Sequence, residues 1–335
     1  MSKFSLDVLQ NHVFPYATNT DPDVLLGAAF GEDVALTRIG DSILASHVDP
    51  IVGAIGGIGS LAVNVAANDI ATSGIQPRWI LLLVLIPDKE DTDLLESIMR
   101  DAGKAAADLG ASIIGGHTGY SAGLSRPLVA ATVMGAQAGS EPVRTGGARP
   151  GDAVLITKGI ALEGTAILAE DFKDIALSLG ISEDEINDAA GLIENVSVVP
   201  EALALSKVGV TAMHDVTRGG LMETLLEIAA LSDVGIELYE DKLPIDSIVS
   251  RFADLFQYDP LRMISSGTLA VSMHPDKLEE ATKELEKLGV PFAVIGKVVE
   301  GKGVHLIGQL KQHFSEIRCE DDELARLWLK YPRDK

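Results

Sequence analysis

The stretch WILLLVLIPDKEDTDLLESIMRDAGKAAADLGASII, residues 79–114, decides the fold class. Its first part, Trp79–Ile86, is a short continuous apolar run, which predicts a buried strand. Apolar residues then recur at helical spacing over Asp91–Leu109, and Gly110 is typical of a helix end. The next apolar segment, Ala111–Ile114, predicts a second strand. This alternation of strand and helix predicts an α/β fold with mixed sheets.

The alternation continues in both directions along the chain. Upstream, Val34–Ile39 and Ile43–Val48 predict a hairpin around Gly40-Asp41, and Leu61–Ser73 predicts an apolar helix. Further strands are predicted at Leu128–Ala136, Ala153–Thr157, Gly235–Leu238, Thr268–Ser272, Phe292–Lys297 and Val304–Leu306. Further helices are predicted at Glu163–Glu170, Glu183–Ile193, Pro200–Lys207, Leu221–Leu231 and Pro275–Leu288. The acidic segment Asp171–Asp188 is expected to be irregular and mobile.

Length and composition limit the architecture. The chain has 335 residues, 47% of them apolar, which suits two domains with a core each. Glycine and proline concentrate in Ala138–Gly151, so we place one domain at residues 1–147 and a second at 148–335. No apolar run approaches the ~20 residues of a membrane span, and the N-terminus lacks a signal-peptide core. We therefore expect a soluble, cytoplasmic protein without a membrane partner.

The charge balance argues against a nucleic-acid partner. With 27 basic and 49 acidic residues, the net charge is −22, and such a field repels a phosphate backbone. A phosphate ligand would need accompanying metal ions to neutralise it and the surrounding carboxylates. The single cysteine, Cys319, excludes a disulfide framework and a zinc site built from cysteines.

Four aspartates lie at predicted strand ends or turns, or within the apolar helix: Asp33, Asp49, Asp69 and Asp215. Any one of them alone is ordinarily a capping residue. Several together, next to glycine or proline in an acidic protein, fit a site that holds Mg²⁺ between carboxylates and phosphates.

The segment Gly56-Gly57-Ile58-Gly59 precedes the apolar helix. It is either a glycine-rich turn or a flexible loop whose backbone N–H groups cover phosphates. A nicotinamide site is disfavoured because the stretch Ile75–Ile86 contains no acid. The helix itself carries Asn64, Asn68 and Thr72 along one stripe, which faces either a ligand or neighbouring loops.

Two more glycine motifs stand out. Gly115-Gly116-His117-Thr118-Gly119 follows a predicted buried strand, and Thr217-Arg218-Gly219-Gly220 opens a predicted helix just after His214-Asp215. The second motif fits either an anion site or an ordinary helix start. Three roles are open to His117 and His214: proton shuttle, metal ligand and hydrogen-bonded structural residue. A zinc role is disfavoured.

In this order, the motifs resemble those of the AIR synthase superfamily of ATP-dependent enzymes. That group includes aminoimidazole ribonucleotide synthetase, selenophosphate synthetase, thiamine-monophosphate kinase and the hydrogenase-maturation carbamoyl dehydratase, whose branch is the most similar. The matching stretches span nearly the whole chain and are Gly31-Glu32-Asp33, His47-Val48-Asp49-Pro50, Gly57–Asn64, Asn68-Asp69-Ile70, Gly115–Thr118, Ala148–Asp152, His214–Leu221 and Ser265–Leu269.

The resemblance implies a two-domain architecture in which the N-terminal sheet pairs across a homodimer to form a barrel. It implies Mg-ATP in a cleft between the domains, with Asp33, Asp49 and Asp69 holding metal and phosphate, and phosphoryl transfer to an oxygen or selenide of the substrate. The candidate catalytic residues are Asp49, Asp69, His117, Asp215 and Arg218. The candidate nucleotide-binding residues are Gly57, Gly59, Asn64, Asn68, Gly115, Gly116, Thr118, Gly219 and Gly220. The candidate metal ligands are Asp33, Asp49, Asp69 and Asp215.

The expected function is therefore Mg-ATP-dependent phosphoryl transfer that activates an oxygen of an unidentified small or carried substrate. The alternatives are the carbamoyl dehydratase itself and a non-catalytic nucleotide-binding assembly module with an unknown maturation partner. The dehydratase carries its substrate on a cysteine at its extreme C-terminus, whereas residues 320–335 follow Cys319 here. Since His313–Lys330 also predicts a packed acidic helix, we expect Cys319 not to be a carrier.

Overall fold

The computed structural model describes residues 4–17, 20–52, 56–139, 141–308, 311–318 and 322–331. The chain divides into two compact units. The first takes in Ala17–Ala29 and Asp33–Pro142. The second takes in Phe30–Glu32, Val143–Lys335 and the N-terminal residues up to Tyr16. Each unit has its own sheet, so the predicted α/β class is confirmed.

The first unit is built on a six-stranded sheet of order β1-β2-β3-β6-β4-β5. Its strands are β1 (Val24–Leu26), β2 (Ala35–Ile39), β3 (Ser42–Ile51), β4 (Trp79–Ile86), β5 (Ser112–Tyr120) and β6 (Leu128–Ala138). The pair β4–β5 is parallel and the other neighbours are antiparallel. The predicted hairpin is confirmed as β2–β3, with Ile39 paired to Ser42.

Two helices of the first unit, α2 (Ile58–Thr72) and α3 (Thr92–Asp108), pack on each other and on one face of this sheet. Along β4 the even-numbered residues are buried and the odd-numbered ones are more exposed, so the helices cover the face of Leu82 and Val84. Almost every residue of α2 is buried. Gly59 lets the two helices approach, since a Cβ atom there would lie 2.1 Å from the backbone oxygen of Ile98.

The second unit is built on a seven-stranded sheet of order β13-β12-β9-β11-β7-β10-β8. Its strands are β7 (Ala153–Thr157), β8 (Ala212–Asp215), β9 (Gly235–Tyr239), β10 (Leu269–Met273), β11 (Phe292–Val299), β12 (Gly303–Ile307) and β13 (Gln312–Phe314). The pair β9–β12 is parallel and the other neighbours are antiparallel.

Nine α-helices belong to the described part of the second unit. They are α1 (Leu6–His12), α4 (Leu162–Asp171), α5 (Lys173–Ser178), α6 (Glu183–Gly191), α7 (Val199–Val208), α8 (Gly220–Ser232), α9 (Ser247–Phe256), α10 (Leu278–Leu288) and α11 (Glu323–Lys330). One apolar core joins α8 to the sheet through residues such as Leu225 and Ile236. A second core joins α4, α5, α6, α9 and α11 through Phe172, Phe252 and Leu327.

The structure corrects three expectations from the sequence. The acidic segment Asp171–Asp188 is not irregular: it forms α5 and the start of α6, because Phe172, Ala176 and Ile186 are buried. The predicted helix His313–Lys330 is wrong, since Gln312–Phe314 pairs with β12 and the helix begins only at Glu323. The predicted strand Ala111–Ile114 extends to Tyr120 as β5.

In the described part of the chain, none of the helices alone has the length and apolar character needed to cross a membrane. The segments Glu183–Asn195 and Val199–Val208 reach that length and apolar composition only when they are taken together, and the chain bends by 47° between them.

Candidate functional site

Two polar residues of β3 approach α2 in the first unit. The side chains of a strand alternate between the two faces, so His47 and Asp49 share the helix-covered face and Val48, 57% exposed, lies on the other. The Nε2 atom of His47 lies 3.4 Å from Oδ2 of Asp69 on α2. Asp69 is 6% exposed, so this contact is largely shielded from water.

Thr72 brings a third aspartate to the same helix. Its Oγ1 lies 3.2 Å from Oδ2 of Asp33 and 2.7 Å from the backbone oxygen of Asp69. Asn68, one turn earlier, is fully buried. Asn64 is half-buried, and its Nδ2 donates to the backbone oxygen of Ser60 at 2.9 Å. The polar stripe of α2 therefore faces the interior, and at its C-terminal end Thr72 donates a hydrogen bond to the carboxylate of Asp33, one of the candidate metal ligands.

The glycine motif Gly115–Thr118 lies apart from the residues that approach α2. Gly115, Gly116, His117 and Thr118 were expected to follow a strand, but they lie within β5 and are exposed. His117 is paired with Leu83, whose side chain lies on the sheet face opposite α2. A Cβ atom at Gly116 would lie 1.9 Å from the backbone oxygen of Leu82, so strand packing alone requires that glycine. The first unit thus separates His117 from Asp49 and Asp69.

In the second unit, Asp215 ends β8 and is fully buried. Neither of its carboxylate oxygens has a hydrogen-bond partner among the described residues. His214 Nδ1 lies 3.6 Å from Oδ1 of Asp215, and His214 Nε2 lies 3.0 Å from Oε2 of Glu227 on α8. Burying an ionised carboxylate without donors is costly, and a bound cation relieves that cost. Asp215 therefore fits the metal role assigned to it.

The helix α8 begins at the predicted Arg-Gly-Gly motif. Gly219 and Gly220 have φ values of +82° and +66°, a region that favours glycine. A Cβ atom at Gly220 would also lie 2.5 Å from the backbone oxygen of Leu261. The two glycines therefore let the chain turn sharply from β8 into α8.

Arg218 lies among buried acids. Its Nη1 is 3.3 Å from Oδ2 of Asp322, which is 1% exposed. The nearby Glu163 is 4% exposed and accepts a hydrogen bond from the backbone N–H of Ser266 at 3.3 Å. Burial raises the pKa of Glu163, and the positive charge of Arg218 opposes that rise. The charge of Arg218 is thus paired within the protein with the carboxylate of Asp322.

Both units match known family models. The model described as AIR synthase related protein, N-terminal domain, matches residues 31–137, and the corresponding C-terminal domain matches residues 149–309. The chain belongs to the AIR synthase related family. This match covers well over half of the chain.

Curated relatives place this AIR synthase related protein beside the hydrogenase-maturation branch. A hydrogenase expression/formation protein of Methanocaldococcus jannaschii is 30% identical over 282 residues, covering 82% of this chain and 81% of the relative. A carbamoyl dehydratase, HypE, of Rhizobium leguminosarum is 30% identical over 259 residues, covering 75% of this chain and 71% of the relative. The AIR synthase related protein is accordingly an enzyme of this family.

A solved structure shows the same fold. The crystal structure of the hydrogenase maturation protein HypE in complex with ATP has a TM-score of 0.70 and 24% identity, covering 93% of this chain and 95% of that one. It supports the two-domain AIR-synthase-like fold of the present chain.

Sequence reasoning missed several polar residues that lie beside the predicted site residues. Glu227 and Glu223 lie four apart on the otherwise apolar α8 and are buried, so acids in an apolar helix were the signal that could have identified them. Asp322 contacts Arg218 from 104 positions away in sequence, and no local pattern indicates such a pair. His47 was noted only as part of the motif around Asp49.

Proposed function

We propose that this protein binds ATP with Mg²⁺ and transfers its terminal phosphoryl group to an oxygen of a small or carried substrate. The principal support is Asp215, a fully buried carboxylate whose oxygens accept no hydrogen bond from the described chain. A buried anion of this kind is typical of a cation site.

The roles of the residues follow from their chemistry. Asp33, Asp49 and Asp69 would hold the metal in the first unit, and Asp215 in the second. Bound Mg²⁺ supplies charge neutralisation for the triphosphate and the leaving group. The chain contributes orientation: the turn at Gly57, the buried Asn68 and the N-terminus of α8 offer polar contacts to phosphate oxygens. Phosphoryl transfer needs positioning and charge balance more than a protein nucleophile.

The relatives support this reaction class. The HypE structure with the same fold was solved with ATP. The resemblance noted in the sequence includes kinases and synthetases, so the acceptor is an oxygen whose activation prepares it for transfer or loss. We propose a small metabolite or a carried group as that acceptor.

Carbamoyl dehydratase activity is the second candidate, and the HypE relative favours it. Its decisive residue would be Cys319, which lies outside the described residues. Intact-mass spectrometry after incubation with ATP and a carbamoyl donor enzyme tests it. A carbamoyl or cyano adduct mapped to Cys319 would establish the dehydratase, whereas an unmodified chain that still releases ADP with another acceptor would support the first proposal.

A homodimer through the first sheet is also proposed. The face opposite α2 carries Val48 at 57% and Leu81 at 39% exposure. Register places Val48, Thr132, Leu81 and Gly115 in one row across β3, β6, β4 and β5. An apolar sheet face is stabilised when a second copy covers it. Light scattering over the micromolar range should give twice the chain mass, and Leu81→Asp should reduce it to the monomer.

The experiment for the proposed function is calorimetric titration with ATP in Mg²⁺ and in EDTA. Carboxylates repel bare triphosphate, so binding should be much tighter with Mg²⁺. Asp69→Asn and Asp49→Asn should weaken Mg-ATP binding while leaving urea unfolding almost unchanged. Asp41→Asn, in the exposed turn of the β2–β3 hairpin, is the matched control and should bind like the wild type. Equal affinity in EDTA and in Mg²⁺ would refute the metal assignment.

A further inference from the structure

A groove in the second unit begins directly after β7 and encloses about 330 Å³. None of the residues proposed above for ATP or metal binding lines it. We propose that this groove binds a small organic cation, whose primary ammonium group meets Asp246 and whose apolar body lies against the groove walls. The site is separate from the one proposed for Mg-ATP.

The groove lies at the same edge of the second sheet as Asp215. Strands β7 and β8 both pair antiparallel with β10, so they run parallel to each other. Leu269 of β10 is paired with Asp215 and donates its backbone N–H to Oγ1 of Thr157, the last residue of β7, at 3.2 Å. The two strand ends are therefore two strand spacings, about 10 Å, apart. Ligands of α/β sheets commonly bind beyond such strand ends, which favours a ligand site here.

Lys158 fixes the part of the groove next to β7. Its φ is +59°, a backbone conformation that non-glycine residues rarely adopt. Its Nζ lies 2.7 Å from Oε1 of Glu201 and donates to the backbone oxygens of Asn195 at 3.1 Å and Ser197 at 2.5 Å. An ammonium group has three donors, and these contacts use all three. The one cation of the lining is thus already paired, so it does not favour an anionic ligand.

The polar groups that remain for a ligand belong to Asp246 and Asn195, which both line the groove. Oδ1 of Asp246 accepts a hydrogen bond from the backbone N–H of Ile248 at 2.8 Å and so caps α9, whereas Oδ2 accepts none from the described residues. The exposed side-chain amide of Asn195 makes no hydrogen bond within the described chain. A carboxylate and an amide oxygen are both acceptors, which suits an ammonium donor. The net charge of −22 also attracts a cation.

The walls of the groove are apolar. They are formed by Leu162, Leu192, Pro244, Ile245 and Pro291. Ile245 is 38% exposed, so a ligand with an apolar body would remove hydrocarbon surface from water. The two prolines have fixed φ angles, which keeps the groove preformed. Pockets for small molecules begin at about 300 Å³, so the volume suits a ligand of metabolite size.

The probe is benzylamine, because it joins a primary ammonium group to one apolar ring. Benzyl alcohol and benzoate carry the same ring with a neutral and an anionic head. Each is titrated into the full ²H,¹⁵N-labelled chain without nucleotide or metal, and backbone amide shifts are followed by NMR. Benzylamine should shift the amides of Leu192, Asn195 and Ile245. It should bind about fivefold or more tightly than benzyl alcohol, because an ion pair at ~4 Å adds to the ring contacts. Benzoate should not bind.

Asp246→Asn keeps a good helix cap and removes the charge. In this variant the affinity for benzylamine should fall about fivefold or more, while that for benzyl alcohol stays unchanged. The matched control is Asp259→Asn. Oδ1 of Asp259 also accepts a backbone N–H two residues on, that of Leu261 at 2.9 Å, but Asp259 does not line the groove. This variant should bind benzylamine like the wild type.

The comparison of the three probes on the wild type decides the proposal even if Asp246→Asn does not fold. Benzoate binding as tightly as benzylamine, or benzylamine leaving the groove amides unshifted, would overturn it. A folded Asp246→Asn with wild-type affinity for benzylamine would overturn it as well. Because the titration contains no nucleotide, loss of ATP binding with intact benzylamine binding would refute the proposed function and not the groove.

Discussion

The carboxylate of Asp322 links the C-terminal helix to Arg218. Its Oδ2 lies 3.3 Å from Nη1 of Arg218, while its Oδ1 accepts a hydrogen bond from the backbone N–H of Ala325 at 2.9 Å. The same residue thus caps α11 and pairs with the arginine that precedes α8. The apolar contacts of Leu324 and Leu327 keep α11 packed on the second core, so the pair is held by more than its own charges.

The two interactions of Asp322 can be separated by substitution. Asn is about as good a helix cap as Asp, so Asp322→Asn should remove the ion pair and keep the cap, whereas Asp322→Ala should remove both. We expect Asp322→Ala to lower the free energy of unfolding by about 1 kcal/mol more than Asp322→Asn does. Urea unfolding of both variants measures the difference. Equal losses would show that the cap contributes nothing to stability.

Glu163 makes stability depend on pH. Burial raises its pKa above the ordinary value of 4.5, so the folded state holds this proton more tightly than the unfolded state does. The stability it contributes is complete below the unfolded pKa and is lost as pH rises through the folded pKa. Glu163→Gln does not titrate at this position. The free energy of unfolding of the variant should therefore increase relative to that of the wild type as pH rises.

Urea unfolding at several pH values between 4 and 8 measures this gain. The control is Glu279→Gln on the exposed α10, because a hydrogen bond from Lys283 lowers the pKa of Glu279. The free energy of unfolding of the wild type should therefore increase relative to that of Glu279→Gln as pH rises. This is the opposite of the change expected for Glu163→Gln. A difference between wild type and Glu163→Gln that stays constant with pH would contradict the burial argument.

Local patterns predicted most of the elements well. Trp79–Ile86 and Ala153–Thr157 match the observed strands residue for residue, because continuous apolar runs bounded by polar turns leave little choice. The errors fall where burial comes from distant contacts. Phe172 and Ile186 are acidic-segment residues buried against α9 and α11, and the sequence near them gives no sign of those partners.

The candidate site shows the same division. The sequence predicted Asp33, Asp49, Asp69 and Asp215 as metal ligands from local signals: Asp33 follows Gly31-Glu32, Asp49 precedes Pro50, Asp69 is an acid in an apolar helix, and Asp215 follows His214 at a strand end. The partners that hold or balance them could not be predicted in this way. His47 meets Asp69 through strand-to-helix packing, and Glu227 meets His214 across a strand and a helix.

A second buried ion pair lies at the end of β7. Nζ of Lys158 is 2.7 Å from Oε1 of Glu201, and the side chains are 13% and 1% exposed. Lys158→Met should lower the free energy of unfolding by about 3–5 kcal/mol, because it leaves Glu201 buried without its cation. The double variant Lys158→Met/Glu201→Leu should be more stable than Lys158→Met alone, since no unpaired charge remains. Urea unfolding of the set tests this, and an additive double variant would show that the pair is not coupled.

The close approach of α2 and α3 gives the last prediction. A Cβ atom at Gly59 would lie 2.1 Å from the backbone oxygen of Ile98, and backbone cannot move aside as a flexible side chain can. Gly59→Ala should therefore cost about 1–3 kcal/mol of unfolding free energy by forcing the helices apart. Gly103→Ala is the matched control at an exposed position of α3, where nothing lies within 4 Å of the added atom, and it should stabilise by up to about 1 kcal/mol. If Gly59→Ala unfolds like the wild type and only loses ATP affinity, then nucleotide binding rather than helix packing requires this glycine.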